Sequence, residues 1–341
     1  MVRVSTIIPV YNNASTVSAA IDSALAQNFE GQEIIVVDDG STDATPHVLE
    51  GYGRKIKVVT QPNRGRSAAR NTALASAQGA YVAFLDADDE WLSGKLAKTV
   101  PVLDADPGCV LVYSDALVID GEGRIVQDSI VSREYTHPPT LDELLEVGRP
   151  PLTSAVVMRR AVVDLCGRFD ESFGRHWGWE DTALFLRARE LGRFHYIAES
   201  LVRYRASTVI ENLRKRRCGA LTNGYSMSAA DRFRGCFGQD RFIELIVKRY
   251  GERAHPLVRR MNVDKEWSVL PMAMLAMHDG DRQLARHAYL SLLRRDPLHP
   301  QTYVRLLWTF LPLRLSRSLS RLLPEKYQRA LMGPPEDKLL F

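Results

Sequence analysis

Two pairs of neighbouring carboxylates carry most of the chemistry that this sequence offers. The first, Asp86-Ala87-Asp88, follows the apolar run Tyr81-Val82-Ala83-Phe84-Leu85. Two carboxylates two residues apart at a strand end can both face one hard cation. Mg²⁺ and Mn²⁺ prefer oxygen ligands, and Mg²⁺ commonly binds through one or two carboxylates plus substrate phosphates. A pyrophosphate leaving group needs that neutralisation. The plainer reading is a solvated acidic turn opening the next helix, and a lone Asp-x-Asp does not exclude it. The second pair, Glu180-Asp181, follows Trp177-Gly178-Trp179 and opens a helical segment. A helix dipole alone accounts for one acid in a first turn. It does not account for two tryptophans beside it. Indole faces pack on the CH faces of a sugar ring while a carboxylate takes a hydroxyl proton. Trp177, Trp179 and Glu180 are therefore candidate acceptor contacts. His176 is adjacent, but a lone histidine is more often structural.

Two further clusters suit a nucleotide. Asp38-Asp39-Gly40-Ser41-Thr42-Asp43 again follows an apolar run. Asp39 can accept hydrogen bonds from a base or ribose, while Ser41 or Asp43 caps the next helix. Arg64, Arg66 and Arg70 lie on a Gly-containing loop and the start of a helix. Backbone amides at a helix start, together with arginine, suit a diphosphate. Arg66 and Arg70 are one turn apart and share a helical face. For Arg64 a surface pair with a carboxylate is the simpler expectation.

The elements that must hold these residues alternate. Strand-like runs are expected at 4–10, 33–37, 55–60, 81–85 and 109–114, and helical spacing at 16–26, 45–52 and 67–77, the last ended by Gly79. Such β–α alternation implies a parallel sheet covered on both faces, with the ligand beyond the carboxyl ends of its strands. The strand ends Pro9-Val10-Tyr11-Asn12, Asp38-Asp39-Gly40-Ser41, Gln61-Pro62-Asn63-Arg64-Gly65 and Asp86-Ala87-Asp88-Asp89 then all lie on one edge. Further on, 153–158 and 194–197 read as strands, and 181–191 as a helix that Gly192 ends. Strand signals fade after about residue 211.

The chain has 341 residues, 45% hydrophobic and 25% charged, with a net charge of +4. That is globular composition, and it gives no general argument for nucleic acid. The four cysteines, Cys109, Cys166, Cys218 and Cys236, are widely spaced and form no CxxC pair. They read as reduced thiols of a cytosolic protein rather than as a disulfide frame or a thiolate metal site. The first 13 residues lack the pattern of a signal peptide, and no stretch reaches the roughly 18 apolar residues of a membrane span.

Taken together, VSTIIPVYNNASTVSAAIDSALAQ, EIIVVDDGSTDAT, QPNRGRSAARNTAL, GAYVAFLDADDEW, GRFDESF and GWEDTALFLRA resemble the family 2 glycosyltransferases over roughly residues 3–205. The resemblance implies an A-type glycosyltransferase fold: a nucleotide-binding, mostly parallel sheet flanked by helices. It implies an inverting transfer from a nucleoside-diphosphate sugar, of the UDP class, to an acceptor hydroxyl in cell-surface polysaccharide or glycolipid assembly. Residue by residue, Pro9, Val10 and Tyr11 would line the nucleoside pocket and Asp39 would bond the base. Asn63 and Arg70 would lie by the ribose and diphosphate, and Asp86 near the ribose and metal. Asp88 would be the direct ligand of Mn²⁺ or Mg²⁺, and Asp181 the general base. Relatives often carry a histidine after the last core strand. Here the stretch is Val202-Arg203-Tyr204-Arg205-Ala206-Ser207, which leaves Arg203 or Arg205 for a phosphate contact.

The expected organisation is a catalytic domain over 1–208, with a donor half to about 115 and an acceptor half over 116–208, and a helical extension over 209–341. Residues 267–307 have the character of one tetratricopeptide-like helical pair. Residues 305–332 hold six Lys/Arg against one acid, with leucines and aromatics interleaved. That pattern suits either an anionic membrane surface or a helix packed on the domain. The expected partners are a nucleotide-sugar donor and a saccharide or lipid-linked acceptor, with peripheral membrane contact through this arm at the inner face of the cell membrane. A sugar nucleotidyltransferase should show a Gly-rich basic loop after the first strand, and Pro9-Val10-Tyr11-Asn12 is not one. A non-catalytic nucleotide-sugar-binding scaffold is the other alternative, and it should lack the metal aspartate or the base.

Overall fold

The structure is a computed structural model. It describes residues 2–130, 137–147, 151–174, 178–206 and 241–258, with positions 261, 286, 289 and 290. The chain divides into two compact units, Met1–Ser226 with Arg241–Leu257, and Met227–Asp240 with Val258–Phe341. Almost all described residues belong to the first. The expected helical pair at 267–307 and the basic arm at 305–332 lie outside them, apart from three isolated positions. Among the described residues no helix is long and apolar enough to cross a membrane.

In chain order the elements are β1 (Val4–Val10), α1 (Val17–Leu25), β2 (Gln32–Asp38), α2 (Thr45–Glu50), β3 (Lys57–Thr60), α3 (Arg66–Ser76), β4 (Tyr81–Phe84), β5 (Glu90–Trp91), α4 (Lys95–Ala105), β6 (Cys109–Ile119), β7 (Ile125–Gln127), α5 (Leu141–Val147), β8 (Val156–Arg159), α6 (Arg160–Leu165), α7 (Glu180–Leu191) and β9 (Arg193–Arg205). A further helix, α8, covers 241–250. The sheet runs β3-β2-β1-β4-β8-β6-β9-β5, with β7 beside β6.

The first four strands in that order are parallel. Val4, Ile7, Ile8 and Val10 of β1 and Ile35, Val36 and Val37 of β2 are buried, as strands covered on both faces require. On α1, Val17, Ala20, Ile21 and Ala24 recur at helical spacing and are buried against the core. Gly79 does not end α3, which gives way at Ala77. Its role is close approach: a Cβ there would lie 2.6 Å from the Ser5 backbone nitrogen.

Beyond β4 the sheet is mixed, and here the structure departs from simple β–α alternation. β8 runs antiparallel to both β4 and β6, while β6 and β9 are parallel. Residues 153–158, expected as one strand, open with a 3₁₀ turn, Thr153–Ala155, before β8 begins. The strand expected at 194–197 runs on to Arg205, and the one at 109–114 to Ile119. The antiparallel placement matters for function. It sets the start of β8, with the 3₁₀ turn before it, beside the C-terminal end of β4, where Ala83 faces Val157.

Candidate active site

The donor side is built from three strand ends held in register, with Val10 opposite Asp38 and Asp38 opposite Thr60. Their turns are tied together. The Asn12 amide donates to Ser41 Oγ at 2.9 Å, the Thr42 amide to Asn12 Oδ1 at 2.7 Å and the Asn13 amide to Thr45 Oγ1 at 3.0 Å. Asp43 accepts from the amides of Thr45 and Ala14. Burial opposes its charge, but these bonds outweigh it and hold the carboxyl below the ordinary range.

Asp39 is buried, and both its oxygens are engaged. Gln61 Nε2 and the Arg64 amide donate to Oδ1 at 2.7 and 2.9 Å, and the Gly65 amide to Oδ2 at 2.8 Å. Asp39 thus shapes the 61–65 loop as well as standing at the β2 terminus. Gly40 must be glycine here: its φ is +75°, and a Cβ would meet the Asn63 backbone nitrogen at 2.9 Å. Tyr11 presents 46% of its surface at the end of β1, Pro9 and Asn63 are half-buried, and Val10 is buried. Val10 belongs to the hydrophobic core. Arg64 pairs with Glu171 at 2.7 Å, as its surface reading predicted.

Asp86 and Asp88 lie on the turn after β4, each half-buried. Arg70 Nη2 donates to Asp86 Oδ1 at 2.7 Å. Burial favours the neutral acid, but the charges of Arg70 and Arg66 dominate and hold Asp86 below the ordinary range. Asp89 is turned inward, where it accepts from Ser154 Oγ at 2.5 Å and the Arg205 amide at 2.9 Å. Burial and the neighbouring Asp88 and Asp86 carboxylates raise it well above the usual carboxylate range. Among the described residues no three His, Cys, Asp or Glu side chains converge as a complete metal cage. Two half-buried carboxylates do fit a hard divalent ion that draws its remaining oxygens from substrate phosphates.

Arg70, which the resemblance puts by the ribose and diphosphate, is 1% exposed and pairs with Asp86. Its other amine donates to Glu180 Oε1 at 2.8 Å, and its guanidinium sits 5.1 Å from the Phe169 ring. Glu180 is likewise 1% exposed, which removes it from the acceptor set. The correction has a simple cause: a buried arginine needs compensating charge, and Glu180 at the start of α7 supplies it. Arg203 and Arg205, the candidates for a phosphate contact, are also committed. Arg205 Nη2 donates to Glu90 Oε1, its Nη1 to the Asp120 carbonyl and its Nε to the Asp88 carbonyl, each at 3.0 Å. Arg203 bonds Glu90 at 2.8 Å and the Gly123 carbonyl at 2.6 Å. Arg205 braces the Asp88 turn directly, and Arg203 braces β5, which follows it.

Asp181, one residue along α7 from Glu180, is half-buried. Its Oδ2 accepts from Thr153 Oγ1 at 2.5 Å and its Oδ1 from the Thr182 amide at 2.6 Å. Burial and the Glu180 charge raise its pKa, against the opposing effects of the Thr153 bond and of Arg70. A carboxylate raised toward neutrality is a better proton acceptor for an alcohol. Trp179 stands at the N-terminus of α7 with φ +75°, stacked on Phe242 of α8 at 5.0 Å. One indole face is therefore already covered. Trp177 lies outside the described residues. The Thr153-Ser154 turn was missed by sequence reasoning. Its only signal was the Pro150-Pro151 pair before it, which restrains the entering backbone.

The mixed α/β sheet flanked by helices is the A-type glycosyltransferase fold, shared with S. aureus TarS. Residues 5–164 match the family model Glycosyl transferase family 2, and the chain carries a family 2 glycosyltransferase domain. An uncharacterized glycosyltransferase of Nostoc sp. is 36% identical over 216 residues, covering 60% of this chain and 64% of that protein. WfgD of Escherichia coli, a UDP-Glc:alpha-D-GlcNAc-diphosphoundecaprenol beta-1,3-glucosyltransferase, is 43% identical over 102 residues, 29% of this chain and 40% of its own. The crystal structure of S. aureus TarS 1-349 in complex with UDP-GlcNAc superposes with a TM-score of 0.57 at 20% identity, covering 94% of this chain and 92% of that one. The chain spans 54–64% of the length of the first curated relatives it matches.

Proposed function

We propose that this protein transfers a sugar from a UDP-sugar to a hydroxyl of a saccharide or lipid-linked acceptor, with inversion at the anomeric carbon. The observation that carries the reading is Asp181. It is a half-buried carboxylate, held in place by hydrogen bonds from Thr153 and Thr182, and the same 3₁₀ turn that holds it also bonds the Asp86 turn. Support for the donor class comes from the UDP-GlcNAc bound by TarS, and for the acceptor class from the diphosphoundecaprenol acceptor in WfgD's name.

In this mechanism Asp181 accepts the proton of the acceptor hydroxyl. The hydroxyl oxygen forms a bond to the anomeric carbon from the face opposite the diphosphate. The bond from that carbon to the phosphate oxygen breaks, and its electron pair leaves with UDP. A Mg²⁺ or Mn²⁺ ion held by Asp88, with Asp86 beside it, would supply charge neutralisation for the leaving group. Tyr11, Pro9 and the Asp39-shaped loop flank the nucleoside. The uncovered part of Trp179 flanks the acceptor, and Trp177 remains a sequence candidate for the same role. A cytoplasmic location with contact at the inner membrane face accords with an undecaprenol-type acceptor.

The test is Asp181→Asn, compared with wild type for UDP affinity and for UDP release from UDP-GlcNAc and UDP-glucose with Mn²⁺. Affinity should hold, while the rate falls by about two to four orders of magnitude. An Asp181→Asn protein with the wild-type rate overturns the mechanism.

A further inference from the structure

We propose that Thr153 is the positioning residue of the general base, its hydroxyl fixing the Asp181 carboxylate from a turn that also holds the donor-side acidic loop. The inference rests on the reading of Asp181 as the base.

The geometry is specific. Thr153 is buried, and its Oγ1 donates to Asp181 Oδ2 at 2.5 Å. A threonine hydroxyl has one proton, so this bond uses its whole donor capacity. The Thr182 amide holds Oδ1 at 2.6 Å, and the Thr182 hydroxyl donates to the same oxygen at 3.3 Å. Oδ2 keeps a second lone pair beside the Thr153 bond, so an acceptor hydroxyl can still bond Asp181 there while these restraints stay in place.

The turn that carries Thr153 is itself immobilised on its other sides. Ser154 Oγ accepts from the Asp86 amide at 3.1 Å and donates to Asp89 at 2.5 Å. The Ser154 carbonyl accepts from Trp91 Nε1 at 2.8 Å, and the Ala155 carbonyl from Lys95 Nζ at 2.7 Å. Ser154 and Ala155 are fully buried. Two adjacent residues thus connect the base to the Asp86-Ala87-Asp88 turn, Thr153 by its bond to Asp181 and Ser154 by its bond to the Asp86 amide. Base catalysis demands a proton acceptor set at a defined distance from the anomeric carbon, which the donor side positions. Thr153 links those two requirements.

Its hydroxyl also biases the proton. Donation to a carboxylate favours the ionised form. The other groups acting on Asp181 are Glu180 on its own helix, which repels its charge, and Arg70 of α3, which attracts it while paired with Asp86 and Glu180. Removing the Thr153 donor leaves burial and Glu180 less opposed, so Asp181 holds its proton to higher pH. Rate is then lost most at low pH and least at high pH.

The experiment compares Thr153→Val and Thr153→Ser with wild type. The readout is UDP release from the UDP-sugar that wild type hydrolyses fastest, from pH 5.5 to 9. Thr153→Val should lose roughly tenfold in kcat near pH 6, the scale of one charge-assisted hydrogen bond, with KM for the donor little changed. Its acid limb should move to higher pH, and Thr153→Ser should restore both. A ¹³C titration of the Asp181 carboxyl needs no donor and should show the same upward movement in Thr153→Val. Unchanged kcat in Thr153→Val, or an equal loss at every pH with no movement of the Asp181 titration, overturns the proposal. Asp181→Asn, run alongside, separates the two readings. If it is inactive while Thr153→Val is normal, the base stands and the positioning role falls. If it is fully active, the base assignment is what has failed.

Discussion

Asp88 shares its turn with two other aspartates, and the structure distinguishes all three. Asp89 is turned into the protein onto Ser154, Asp86 is held by Arg70, and Asp88 is the half-buried carboxylate that the family resemblance assigns to the cation. Asp88→Ala should therefore weaken UDP binding in Mn²⁺ and leave it unchanged in EDTA, measured by titration calorimetry. Equal affinity of both proteins in Mn²⁺ would remove the assignment. The buried trio beneath makes a different kind of prediction. Arg70 compensates two carboxylates at once, and Glu180 Oε2 is buried with no hydrogen-bond partner. Arg70→Met strands both acids, and breaking a buried pair from one side costs about 3–5 kcal/mol. Glu180→Gln keeps shape and one acceptor, and should cost less, about 1–3 kcal/mol. Urea unfolding of the two variants checks the order. If Arg70→Met unfolds at the wild-type midpoint, the trio carries no structural weight.

The first strands were legible because each is short, apolar and closed by a polar turn. Val4–Val10 matches its expected bounds, and the turns at Asp39 and Asp86 stand where the alternation put them. The link between donor turn and base was not legible. It depends on β8 running antiparallel between β4 and β6, a long-range register that no local pattern in Thr153-Ser154-Ala155 announces. The bracing of Glu90 by Arg203 and Arg205 was hidden for the same reason, since β5 is two residues long and pairs with a strand over 110 positions away. Lys95, the first residue of α4, is a third such case. Its ammonium is fully buried, donates to the Ala155 carbonyl and lies 5.6 Å from the Trp91 ring. Burial lowers its pKa to about 7. The unfolded chain therefore binds more protons than the folded one between about pH 7 and the ordinary lysine range, and stability rises with pH across that window. Below pH 7 both states carry the charge and the full cost of burying it is present. Lys95→Met should be stabilising at pH 6 relative to wild type, with the advantage shrinking by pH 9. Denaturant midpoints at the two values measure it, and a constant difference would show that Lys95 does not titrate within the window.

Across the whole molecule, charge is unevenly distributed. The net charge is only +4, yet residues 305–332 hold six Lys/Arg against one acid, with Leu306, Leu307, Trp308, Phe310 and Leu311 among them. This arm lies outside the described residues, so the argument is one of composition. Interleaved basic and apolar residues bind anionic lipid through charge attraction together with apolar insertion. The reading is coupled to the acceptor class, because a lipid-linked acceptor is confined to a surface, and an enzyme held there meets it at higher local concentration. Every residue assigned here to donor, base or positioning precedes Ala206, so removing the arm should separate surface binding from nucleotide binding. Truncation after Pro300 should reduce sedimentation with vesicles containing phosphatidylglycerol while leaving UDP affinity intact. The difference between full-length and truncated proteins should shrink as salt is raised from about 0.01 M to 0.15 M, where the screening length falls from about 30 Å to about 8 Å. A full-length protein that ignores anionic vesicles at the low-salt end would show that the arm serves the fold rather than a membrane.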